Sequence, residues 1–178
     1  MLRAALFTFV GVVWCARSLQ SFTDPEYMDP ATASDWFAVL SFSAALFALA
    51  FALPMFAQLT GGRVVFRVSL IPAVGAALAG LSNLVEDALH WASGWAFWLF
   101  GAGMATTAVG LIAFTLVVAV AGRGRRRLLA AVPAGTLIGL FLFESGGGVL
   151  TLAAWLVAAA IAVQVAPRAA AQVAATST

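Results

Sequence analysis

Apolar residues along this chain come in long runs, and the polar residues gather in the gaps between them. A helix needs about 20 apolar residues to cross the hydrocarbon of a bilayer. Windows of that length predict spans near 3–20, 36–58, 68–89, 94–121, 128–144 and 148–165. Short connections force the helices they join to pack as antiparallel neighbours. Only the first connection, 21–35, has room for structure of its own, and 169–178 is left as a disordered tail. The pattern predicts one all-α domain over 1–178, a polytopic transmembrane bundle of six spans.

Composition strengthens that reading. The 178 residues are 63% hydrophobic and only 9% charged, whereas a soluble domain carries about 25% charged residues. Every basic residue is Arg, and Ala and Gly abound, a bias that fits GC-rich bacterial coding and a bacterial inner membrane. The lone Cys15 has no partner for an internal disulfide and reads as a small packing residue. The N-terminus has the basic start and apolar core of a signal peptide, but Trp14 occupies a site where cleavage needs a small residue. It is therefore expected to stay as the first span.

The arginines orient the bundle, because cytoplasmic loops collect positive charge. Arg3, Arg63, Arg67, Arg123, Arg125, Arg126, Arg127 and Arg168 fall on one side of the six-span scheme, and only Arg17 falls on the other. All seven acids, Asp24, Glu26, Asp29, Asp35, Glu86, Asp87 and Glu144, lie opposite the arginines. Both termini are thus expected in the cytoplasm. Trp14, Trp36, Trp91 and Trp95 fall near the outer boundary, where amphipathic rings settle. Arg63, Arg67 and the run "GRGRRR" at 122–127 read as topology anchors against anionic lipid heads, not as a nucleic-acid patch. The expected partners are the bilayer and a homo-oligomer or larger membrane complex.

Between helices in lipid, close packing of small residues replaces the hydrophobic drive. "AVGAALAG" (73–80) and "GAGMATTAVG" (101–110) are expected to form adjoining faces, with Gly101 and Ala105 spaced i, i+4. Pro54, Pro72 and Pro133 are expected to give static kinks. A loose repeat, Arg67, Pro72, Gly80, Glu86 against Arg127, Pro133, Gly139, Glu144, hints at duplicated hairpins with two matched carboxylates.

The candidate chemistry centres on "SNLVEDALHW" (82–91). On an α-helix, offsets of 3, 4 and 7 share a face, so Asn83, Glu86, Asp87 and His90 form one stripe. An acid at the bilayer centre costs about 2.5–3.5 kcal/mol and much less near the surface. Position alone therefore accounts for Asp87 and His90. Asn83 and Glu86 call for a partner in the bundle, such as Arg17, Thr106, Thr107 or Glu144. Glu86 and His90 can reach one divalent metal ion, and Glu86 with Glu144 can share a proton or a cation. No catalytic elbow, Walker loop or dinucleotide fingerprint is present, so no enzyme and no cofactor is expected. The glycines of "ESGGGV" (144–149) read as a tight turn.

The acidic first loop carries Asp–Pro turn signals on either side of Tyr27, and ends with Ser34 or Asp35 suited to cap the second helix. Arg17 is expected to pair with one of its acids and pin the loop over the bundle.

Three roles fit these features: a non-catalytic accessory or scaffolding subunit, a cation- or proton-coupled transporter or binding protein with an outer-facing acidic site, and a membrane-embedded solute-binding subunit. In size, span number and orientation the chain is similar to the vitamin-binding subunits of energy-coupling-factor importers. That similarity implies a ligand held beneath an outer loop. The first span, rich in Phe and Val, lacks the regularly spaced small residues through which those subunits dock.

Overall fold

A computed structural model describes residues 1–23, 32–88, 94–122 and 124–176. Among them every regular element is helical. Six α-helices lie at the six apolar stretches: α1 (Leu2–Thr23), α2 (Ala33–Thr60), α3 (Arg63–Asn83), α4 (Gly94–Ala121), α5 (Ala131–Phe141) and α6 (Gly148–Thr176). Four of them are long and apolar enough to cross a membrane, over Leu2–Phe22, Ala33–Thr60, Arg63–Glu86 and Gly94–Ala121. Each helix packs on the next, and α6 packs back on α1.

The ring closes around side chains that meet at mid-height. Phe7, Phe56, Phe114 and Trp155 come from four different helices, and all are fully buried. Phe56 meets Phe7 and Phe114 edge-on, with centroids 6.3 and 6.2 Å apart. The outward surface is just as apolar, with Phe51, Val109, Leu116 and Val157 exposed, as suits helices bathed in lipid.

Small residues set the closest approaches. A Cβ on Gly75 would lie 2.5 Å from the Thr107 backbone N, and one on Gly103 would lie 2.7 Å from that of Ala79. One on Gly110 would come 2.5 Å from the Pro72 nitrogen. The α3–α4 seam is therefore Pro72, Gly75 and Ala79 against Gly110, Thr107 and Gly103. This corrects the expected register: Gly101 has nothing within 4 Å, and Ala105 is exposed. Gly80 does not serve this seam either, since a Cβ there would meet Leu46 and Ser43 of α2.

Helix ends follow from local chemistry. Thr32, not Ser34, is the N-cap of α2, and Asp35 closes a capping box with it: the Thr32 N–H donates to Asp35 Oδ2 at 2.7 Å. Gln20 Nε2 of α1 donates to the Ser34 carbonyl at 3.1 Å and so ties the two helix ends together. Pro54 and Pro72 sit inside α2 and α3, which run on through them. A 3-10 segment, Gly124–Ala130, leads into α5. Pro133 has no N–H for the carbonyl of Leu129, so an α ladder cannot run unbroken through this entry.

Two expectations need revising. Trp14 is 1% exposed and belongs to the core, not to an interfacial belt; its ring packs edge-on against Phe42 and Phe143. α6 continues to Thr176, through most of the stretch read as a disordered tail, in keeping with the high helix propensity of its alanines.

Arg3, Arg63, Arg67, Arg126 and Arg127 mark one end of the bundle and are exposed there. At this basic end Arg3 donates to Gln58 Oε1 at 2.8 Å, and Arg127 Nε donates to the Gly122 carbonyl at 3.1 Å. Arg125 falls within the 3-10 segment, and Arg123 lies outside the described residues.

Candidate functional site

The predicted stripe runs into a change of helix type. α3 gives way to a π-helical turn, Leu84–Ala88, which carries Glu86 and Asp87. A π turn holds more residues than an α turn, so the α-helical offsets do not carry over unchanged beyond Asn83. His90 lies outside the described residues, and with it the Glu86–His90 metal pair.

Asn83 does point into the bundle, and α2 supplies its partners. Its Nδ2 donates to Ser43 Oγ at 3.0 Å and to the Val39 carbonyl at 3.3 Å. Of the partners expected from the sequence, Thr107 donates to Gly103 in its own helix. The neighbouring Ser82 hydroxyl donates to the Ala96 carbonyl of α4. Asn83 and Ser82 therefore join three helices, which is a structural task. Glu86 is half-buried.

A second polar cluster lies at the same end, where α1 meets the turn between α5 and α6. A short 3-10 turn, Phe143–Ser145, is followed by Gly146 at φ 80°, the left-handed region where a Cβ is unwelcome. The Gly147 N–H returns to the Leu142 carbonyl at 2.8 Å and tightens the loop. Ser18 of α1 clips this turn from the side, donating to the Phe143 carbonyl and accepting from the Gly148 N–H at 3.0 Å. The clip works because α1 and α6 touch: a Cβ on Gly148 would lie 2.5 Å from the Ser18 Cβ. Glu144 is carried on this fixed turn and is exposed.

Arg17 stands beside the clip and is fully buried. Its guanidinium carbon lies 5.7 Å from the centroid of Phe42 and 5.6 Å from that of Phe143, within cation–π range of both. The two rings also lie 5.4 Å apart, and Phe100 of α4 packs 6.1 Å from Phe42. The acids of the first loop expected to pair with Arg17, Asp24, Glu26 and Asp29, lie outside the described residues.

These rings form the wall of a chamber of about 390 Å³. Phe42, Phe100, Met104 and Phe143 give it an apolar lining, while Ser21, Glu144 and Ser145 bring the polar atoms. Glu144 thus joins a site, and Glu86 is absent from its lining. The loose repeat fails for the same reason, because the glycines it equates serve different seams: Gly80 faces α2, and Gly139 faces Thr151 of α6.

Phe42, Phe100, Met104 and Ser21 escaped the sequence reading. Aromatic and Met residues within apolar spans look like any other lipid-facing or core position. The available signal was Arg17, a lone cation on the acidic side of the charge pattern. Among the described residues no three His, Cys, Asp or Glu side chains gather as metal ligands. The lining thus sets, among the described residues, one carboxylate, Glu144, beside aromatic rings, with polar and apolar surface in comparable amounts. Comparison of the chain with protein-family models, curated proteins and solved structures gives no match.

Proposed function

We propose that this chain is a six-span integral membrane protein with both termini in the cytoplasm, and that it binds a small amphipathic organic cation in the chamber at its acidic end without catalysing a reaction. The chamber is the observation that carries the binding role. Its volume of about 390 Å³ falls within the range of small-molecule sites, about 300–1,000 Å³. Among the described residues Glu144 contributes the ionisable side chain of the lining, and the Phe and Met side chains contribute the apolar contact.

Six spans draw support from element lengths. Beside the four long apolar helices, α6 has an apolar stretch over Gly148–Gln164. The 3-10 segment and α5 together rise about 30 Å, close to the hydrocarbon thickness of about 30 Å. The separation of arginines from acids supports the orientation.

The chamber favours this reading over a purely scaffolding subunit. Proton or cation coupling through a Glu86–Glu144 pair draws less support, since only Glu144 lines the chamber. The test is thermal unfolding of the purified protein with benzyltrimethylammonium, a cation small enough for the space. A saturable rise in Tm is expected, and Met104→Trp, which fills the chamber, should abolish it while keeping its own Tm. No saturable rise, or an equal one in Met104→Trp, contradicts the proposal.

A further inference from the structure

The α3–α4 seam is tight at Pro72–Gly110, Gly75–Thr107 and Ala79–Gly103, but it does not stay tight to the basic end. There Val64 of α3 and Leu116, Val117, Val120 and Ala121 of α4 line an outward groove of about 440 Å³. Its walls are hydrocarbon. Exposed arginines flank it in the chain. Arg63 precedes Val64, and Arg67 follows it by three residues on nearly the same helix face. Arg127 reaches across to the carbonyl of Gly122, the residue after Ala121 at the end of α4.

Among the described residues no carboxylate is seen against these arginines. The sequence has no Asp or Glu over 36–85, 88–143 or 145–178, and the contacts described for Arg3 and Arg127 are to neutral oxygens. An apolar groove beside exposed arginines, with no carboxylate against them among the described residues, is complementary to one molecule abundant in a bilayer. We infer that this groove binds an anionic phospholipid, with an acyl chain between Val64 and Val120 and the phosphate held by Arg63, Arg67 and Arg127. Guanidinium forks match phosphate oxygens well, and basic recesses between helices on the cytoplasmic side favour such headgroups. The site would keep a lipid bound where the Gly-rich seam ends.

The experiment compares phosphatidylglycerol with phosphatidylcholine of the same chains, added to delipidated protein in a neutral detergent and read by native mass spectrometry and by Tm. Phosphatidylglycerol should be retained and should raise Tm, while phosphatidylcholine should do neither. Arg63→Gln with Arg67→Gln should weaken phosphatidylglycerol retention about thirtyfold. Val120→Trp, which blocks the groove and leaves the charges in place, should weaken it as well and serves if the double variant does not fold. Equal effects of the two lipids, or undiminished phosphatidylglycerol binding in either variant, overturns the inference. So does a lipid-free dimer as the main species, since a second copy would then cover the groove.

Discussion

Asn83 shows how much one polar side chain can settle at the scale of a residue. Its type and depth are legible in the sequence, and so is its need for a bundle partner. The partner is not, because Ser43 and the Val39 carbonyl sit about forty residues away on a helix with no polar stripe to announce them. Hydrogen bonds between membrane helices are worth about 0.6 kcal/mol on average and about 1.7 at most. Asn83→Ala and Ser43→Ala should therefore show a coupling of about that size in a double-mutant cycle of unfolding free energies. Additive effects would mean the bond does not form. Arg17 teaches the converse lesson, since a single cation on the wrong side of a charge pattern marks a buried, ring-stacked position.

At the scale of elements, helix positions were legible and helix faces were not. The ends of α1, α2 and α4 agree within three residues because they rest on where apolar runs stop, whereas α6 runs eleven residues past its predicted end. Facing rests on periodicity, and α2 and α4 are apolar nearly all the way round. Gly101 and Gly103 were therefore indistinguishable in "GAGMATTAVG", although only Gly103 touches α3. Gly103→Ala should destabilise the bundle by about 1–3 kcal/mol through overpacking. Gly101→Ala meets open space and should be neutral or stabilising by up to about 1 kcal/mol. Denaturation of both variants in one detergent checks the register, and equal effects would show that the seam lies elsewhere. The π turn over Leu84–Ala88 was equally hidden.

Over the whole molecule, charge was the most readable feature. An antiparallel ring carries arginines to one end and brings Arg17, Asp35 and Glu144 toward the other, so a sequence count becomes an end-to-end asymmetry. In a Cys15→Ala background, Ser145→Cys should react with a membrane-impermeant maleimide added to intact cells, and Arg126→Cys only after permeabilisation. The opposite pattern would invert the proposed orientation. The chamber was the least readable feature, because it is assembled by closure of the ring from residues of α1, α2, α4, α5 and the turn before α6.

That assembly makes a discrimination between two acids the decisive observation. The measurement is equilibrium binding of benzyltrimethylammonium to the wild type, Glu144→Gln and Glu86→Gln, each confirmed folded by its Tm. Glu144→Gln should weaken binding at least about tenfold, the scale of a lost charge-assisted contact in an apolar site, and Glu86→Gln should leave it unchanged. Loss of binding in Glu86→Gln with none in Glu144→Gln would return the site to the third helix and contradict the account given for the chamber.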